Sequence, residues 1–286
     1  MKTGLIIEGG GMKCAYSAAI LDAFLKDGID FDCCIGVSAG AGNAVSYLAG
    51  QYGRNLRYYT IHLSDPYYFG LRSFLHCGSF YGLRHIYGDM TNEGGADPLD
   101  YDSMMANPTD LLIAATRADS GRTVYFHKEQ MKRNDYRMLM ASCAIPAVCK
   151  PIRIGRHEYY DGGVSNSIPI DKALAEGCDR VVVLLTKYQG FRMQPQKHRF
   201  LYSRILREYP AVVHELDTRH IVFNRTLDRL QRLEEEGTVM VLRPSEALKS
   251  GTYDMNPAEN QKLYDLGMKD YDEKRTELFE FLQKKN

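Results

Sequence analysis

A chain of 286 residues, 44% hydrophobic and 25% charged, has the composition of an ordinary globular protein. Lys+Arg and Asp+Glu both number 36, so the formal net charge is zero and no global pull toward nucleic acid is expected. No apolar run reaches the roughly 18 residues of a membrane span. The apolar start at Met1–Glu8 is too short for a secretion signal, so the chain reads as intracellular and cytoplasmic. Seven cysteines, an odd number without a C-x-x-C pair, argue against a zinc or thioredoxin-like site and read as reduced thiols packed like small hydrophobes.

In chain order, Thr3–Glu8 reads as a buried strand that ends at three glycines. Met12, Ala15, Tyr16, Ala19, Ile20, Ala23 and Phe24 then follow the i, i+3, i+4, i+7 spacing of an amphipathic helix, and Gly28 is placed to cap it. A short strand around Cys33–Gly36 leads into Ser38 and a small-residue helix from Ala39. Later strands are expected at Asp110–Thr116, Arg122–His127, Glu158–Tyr160, Arg180–Leu185 and Thr238–Leu242. This alternation argues for a parallel sheet with helices on both faces. After Lys187 the chain turns mostly helical and polar. Asn256-Pro257-Ala258-Glu259 reads as a helix start, and Lys262–Gln283 as a charged surface helix with Leu263, Leu266, Tyr271, Leu278 and Leu282 facing in. With no clean boundary, residues 1–286 read as one domain whose helical part, about 190–286, packs on the same core.

Gly36-Val37-Ser38-Ala39-Gly40 has the G-x-S-x-G form that sets a serine on a sharp strand-to-helix turn. There the partial positive charge of a helix N-terminus favours a developing anion. Read alone, Ser38 is equally a helix cap, and Asp161-Gly162 is far more often an ordinary turn. Gly9-Gly10-Gly11 alone is equally a tight turn. A dinucleotide fingerprint needs a third glycine where Cys14 stands, and a phosphate loop needs G-K-[S/T], which is absent.

Glu8-Gly9-Gly10-Gly11-Met12-Lys13, Gly36–Gly40, Ala141-Ser142-Cys143-Ala144-Ile145-Pro146 and Asp161-Gly162-Gly163 together resemble the four blocks of the patatin-like phospholipases, in the family's order. The resemblance covers residues 8–163. It implies a three-layer α/β/α sandwich with a mostly parallel central sheet, a Ser-Asp dyad, and calcium-independent cleavage of lipid acyl esters. On that reading Ser38 attacks the ester carbonyl and Asp161 takes its proton. The N–H groups of Gly10 and Gly11, helped by Gly9, hold the oxyanion. Lys13, Ala39 and Gly162 support the site. Cys14 stands where the family commonly has glycine. No cofactor and no metal are implied, and Pro146 reads as a rigid turn near the pocket.

A Ser-His-Asp triad would draw on His198, His214 or His220, but all three sit in polar, helix-like sequence with no strand before them. His76, His85, His127 and His157 lack metal-ligand spacing. The aromatic run from Tyr67 to Leu75, continuing to Phe80-Tyr81, reads either as a lid or membrane-touching loop or as core packing. Arg192, Lys197, Arg199, Arg204 and Arg207 around Phe200, Leu201, Ile205 and Leu206 read as a solvated helix face, with an anionic lipid surface as the sharper alternative. The function expected is a serine lipid acyl hydrolase acting on a lipid or acyl ester. Its alternatives are a non-catalytic lipid-binding protein and an acyltransferase.

Overall fold

The computed structural model describes residues 1–247 and 251–283. The first half alternates as expected. β1 (Thr3–Ile7), α1 (Ala15–Asp27), β2 (Cys33–Val37) and α2 (Ala39–Leu48) follow one another, with a short 3-10 turn over Gly11–Cys14 and Gly28 in the left-handed conformation at the end of α1. Next come α3 (Arg54–Tyr59), α4 (Leu71–Cys77), α5 (Tyr101–Ala106), β3 (Asp110–Arg117), β4 (Thr123–His127) and α6 (Arg137–Cys143). The chain continues through β5 (Ile152–Ile154), β6 (His157–Asp161), α7 (Ile170–Ala175) and β7 (Arg180–Leu184). It ends with α8 (Arg199–Ile205), α9 (Pro210–Glu235), β8 (Val239–Leu242) and α10 (Pro257–Gln283).

The strands form one eight-stranded sheet in the order β5-β6-β3-β2-β1-β7-β8, with β4 also paired to β3. β3, β2, β1, β7 and β8 run parallel, because helical crossovers join them. β4, β5 and β6 are antiparallel. The β3–β4 and β5–β6 connections are too short for a crossover: Gly121 and Gly155, both at positive φ, turn the chain straight back. The sheet is thus mixed rather than wholly parallel. β5, three residues among prolines and arginines, carries too little apolar pattern to be seen in the sequence.

Alternation along the central strands divides the core into two layers. Leu5, Ile7, Val182 and Leu184 pack under α1, α2 and α10. Ile6, Val181 and Val183 face the other way, against α7 and against Phe223, Leu230 and Leu233 of α9. The result is three layers, helices on both sides of a mostly parallel sheet.

The start of α10 follows its local signal. The Asn256 side chain accepts from the backbone N–H of Ala258 at 3.0 Å, and Pro257 opens the helix. Leu263, Tyr271 and Leu278 are buried, with Leu266 and Leu282 partly so. Gly267 lets α10 lie directly on α1: a Cβ there would stand 2.5 Å from the Tyr16 carbonyl oxygen and 2.8 Å from the Ala19 Cβ. The Tyr264 hydroxyl donates to Asp22 at 2.9 Å across the same seam. All seven cysteines are free thiols, six of them buried and Cys77 half-exposed. Among the described residues no helix is long and apolar enough to cross a membrane.

Candidate active site

The sharp turn between β2 and α2 holds Ser38 at φ 54°, ψ −132°, a conformation that costs a non-glycine residue energy and persists only where its surroundings enforce it. Two contacts enforce it here. The Ser38 N–H donates to the Ser142 hydroxyl at 2.8 Å, and that hydroxyl donates to the Ala114 carbonyl of β3 at 2.6 Å. The Ala41 N–H donates to the Ser38 carbonyl at 2.8 Å. Gly40 lets α2 pass against β1, since a side chain there would run into the Ile7 carbonyl.

Asp161 ends β6. Its backbone N–H donates to the Ala144 carbonyl at 2.9 Å, tying it to the segment after α6. The Ser38 hydroxyl donates to one carboxylate oxygen of Asp161 at 2.6 Å, and the Gly163 N–H donates to the other at 2.7 Å. Ser38 is 8% exposed and Asp161 7%. Burial pushes the Asp161 carboxyl above its ordinary range, opposed by the Ser38 hydroxyl, the positive charge of Arg219 and the Gly163 N–H.

The three glycines lie against this pair. Gly9 has no room for a side chain: a Cβ would stand 2.6 Å from the Ser38 Cβ. Among the described residues none accepts a hydrogen bond from the N–H of Gly10 or Gly11. Glu8, at the end of β1, is buried and accepts from the N–H of Thr186 at 2.6 Å and from its hydroxyl at 3.0 Å. Lys187 sits 3.7 Å from the same carboxylate. Lys13 is half-buried beside them, and burial together with the neighbouring Lys187 lowers its ammonium below the usual range while Glu8 pulls the other way. Cys14 packs inward, its thiol 3.5 Å from the Glu8 carbonyl, so glycine is not needed at that place.

Two spaces meet at Ser38. On one side a small cavity of about 60 Å³ lies between Tyr59, Tyr68, Tyr81, Tyr87 and Cys143. On the other a mouth of about 520 Å³ opens past Gly9–Gly11 and Asp161 toward Tyr202, Leu216 and Tyr253. The aromatic run is therefore divided. Tyr68 and Tyr81 line the inner cavity, whereas Leu71, Phe74 and Leu75 of α4 are exposed. Ile145 reaches both spaces, and Pro146 lines the mouth.

Of the histidines weighed as triad members, His198 stands exposed on the rim of the mouth, and His214 and His220 ride on α9. Ser38 donates to Asp161 and to none of them. His85 pairs with Asp65 and Asp89, and His157 with Asp119, all away from the serine.

Several residues at the site carry no local signature. Ser142 lies in a motif block but shows its part only through the elbow it supports. Thr186 and Lys187 close on Glu8 from the end of β7. Thr252, far along the chain, accepts from the Met12 N–H at 3.1 Å and presses on Gly11, so a C-terminal residue clasps the glycine loop.

Residues 5–174 match the model of the patatin-like phospholipase family, and residues 209–283 match a domain of unknown function, DUF6363. The protein YjjU of Escherichia coli (strain K12), itself described as uncharacterized, is 27% identical over 202 residues, covering 68% of this chain and 55% of that protein. The chain thus spans about half the length of the curated relative it matches. Among solved structures, VipD from Legionella pneumophila aligns at a TM-score of 0.43 and 12% identity, over 95% of this chain and 67% of that one. With residues 5–174, more than half of the chain, so matched, the chain belongs to the patatin-like phospholipase family.

Proposed function

We propose that this protein is a serine lipid acyl hydrolase that works through a Ser38–Asp161 dyad. One observation carries the reading: a strained, buried serine donates at 2.6 Å to a buried carboxylate, beside a glycine loop whose N–H groups have no acceptor among the described residues.

The chemistry follows. As Ser38 Oγ forms a bond to the ester carbonyl carbon, its proton passes to Asp161 and the carbonyl electron pair moves onto oxygen. The N–H groups of Gly10 and Gly11, with Gly9 shaping the loop, hold that oxyanion. Collapse of the intermediate expels the alcohol, which leaves with the proton from Asp161. Water then repeats the sequence in reverse and frees the acid and Ser38. Ala39 and Gly162 shape the two turns, and the Glu8–Lys187 pair with Lys13 fixes the loop's base.

The inner cavity, walled by tyrosine rings, suits the acyl chain, and the larger polar mouth suits the alcohol part of a lipid ester. The helical part of the chain belongs to the same working unit, since Tyr202, Leu216, Thr252 and Tyr253 wall the mouth.

Contact with a lipid surface is part of this reading. Phe200, Leu201 and Ile205 of α8 are 81%, 59% and 53% exposed, and the latter two sit on the rim of the mouth. Arg199 is held by Asp217, and among the described residues Arg204 and Arg207 of α8 and its end have no carboxylate partner, which leaves them to meet anionic head groups. Phe200→Ser with Arg204→Glu should reduce co-sedimentation with anionic liposomes, and unchanged binding would remove this part of the proposal.

The deciding experiment is hydrolysis of p-nitrophenyl esters from short to long acyl chain by wild type and Ser38→Ala. Turnover that disappears with Ser38→Ala supports the hydrolase. A folded wild type inactive on every chain length points to lipid binding without catalysis, or to an acyl acceptor other than water.

A further inference from the structure

Arg219 lies on α9, outside the segment matched by the patatin family and inside the one matched by a domain of unknown function. It lines the mouth that Ser38 and Asp161 share. The point where a Cβ of Gly163 would stand is 3.1 Å from Asp161 Oδ1 and 3.4 Å from Arg219 Nη2, so the carboxylate and the guanidinium converge on the space beside one glycine. Arg219 Nε is fully buried, and among the described residues nothing hydrogen-bonds or ion-pairs with this side chain. A half-buried arginine without a partner is costly and needs an explanation. Most of the other cations near the site are accounted for: Lys187 pairs with Glu8, and Arg199 with Asp217.

We propose that Arg219 is a positioning residue of the dyad, a cation that α9 holds beside Asp161 without bonding to it, so that the buried carboxylate stays charged and ready to accept the Ser38 proton. The inference rests on the hydrolase reading above.

The absence of a direct bond is what the task requires. A bidentate ion pair would occupy the carboxylate oxygen that Ser38 uses and weaken it as a base. A charge set one glycine away opposes desolvation through space and leaves both carboxylate oxygens to Ser38 and the Gly163 N–H. The other groups near Asp161 offer no such compensation. Cys143 of α6, Cys14, Cys149 and Tyr253 are neutral, their thiols and phenol pushed further up by burial and by the Asp161 charge itself. Glu8 and Lys187, in the same mouth, offset one another, Lys13 stands beside that pair with its charge drawn to Glu8, and Lys197 and His198 stand exposed at the rim. Arg219 is the cation whose field is left for Asp161.

The test is the pH profile of kcat/KM on uncharged p-nitrophenyl butyrate for full-length wild type, Arg219→Met and Arg219→Lys. The acid limb should move up by about one pH unit in Arg219→Met, a loss of about tenfold on the acid side of the limb, and should return most of the way in Arg219→Lys. Because the guanidinium satisfies no other group among the described residues, its removal orphans none of them and the fold should persist. If a thermal melt shows otherwise, Arg219→Gln is judged by the same shift. A limb that stays at the wild-type pH, whatever the fall in rate, overturns the proposal and leaves Arg219 a packing residue. So does a shift that lysine does not reverse. Wild type lacking Ser38-dependent turnover is a different failure, since it removes the hydrolase reading itself.

Discussion

Residues 5–174 and 209–283 meet at one mouth but hold their functional groups in opposite ways. In the first segment every candidate group is tied down through the backbone. Ser38 is pinned by Ser142 and Asp161 by the Ala144 carbonyl and the Gly163 N–H, while the glycine loop runs on from the end of β1 and is clasped from outside by the Thr252 carbonyl. In the second segment Leu216 and Arg219 stand on a long helix that needs only its own repeat to present them, and among the described residues Arg219 has no tie at all. Backbone ties demand glycines and a strained serine, and so leave motifs in the sequence. A helix face demands nothing local, and leaves none.

Substitutions can break this contrast at either end. The largest effect is expected from Asp161→Asn, which removes the proton acceptor: kcat should fall by about 10⁴ or more, read as ester turnover. A fall under tenfold would mean that another base serves Ser38. Gly9→Ala should cost about 10²–10³ in kcat, because its methyl would displace Ser38 and the loop that faces the oxyanion. Wild-type rates from Gly9→Ala would show that the loop is not held as tightly as the contrast requires.

At the other segment, Gly267→Val should leave the chemistry in place but lower stability by about 1–3 kcal/mol, seen as a fall in Tm, by wedging α10 off α1. The smallest effect concerns pH. Burial raises the folded-state Asp161 pKa, so the charged form opposes folding. Stability from this group is present at low pH and lost as pH rises through the folded value. Asp161→Asn should therefore melt slightly higher than wild type at neutral pH, by on the order of 1 kcal/mol, with the gain vanishing in acid. Ester turnover runs the other way, failing as pH falls and the base takes its proton.

Sequence and structure agree where local physics decides. The glycines of the elbow and loop, the apolar spacing of α1 and the Asn256-Pro257 start of α10 each encode a backbone event, and each could be read. β5 could not, because three residues at a sheet edge carry no period. Nor could Ser142 be assigned its support of Ser38, or Thr252 its grip on the loop, because both depend on where distant segments come to rest. Arg219 is one arginine among several on a charged helix, and only the packing of α9 on the sheet singles it out.

The seam at Gly267 carries a further consequence, for how this chain can change over generations. The nearest obstacle is the Tyr16 backbone carbonyl, which no substitution can trim, so a larger residue in α10 can be accepted only if α1 shifts as a whole. Two distant parts of one gene must then drift in step. An exchange of either part with that of a relative would bring together helices that no longer fit, and the glycine loop that α1 follows would be the first to lose its shape.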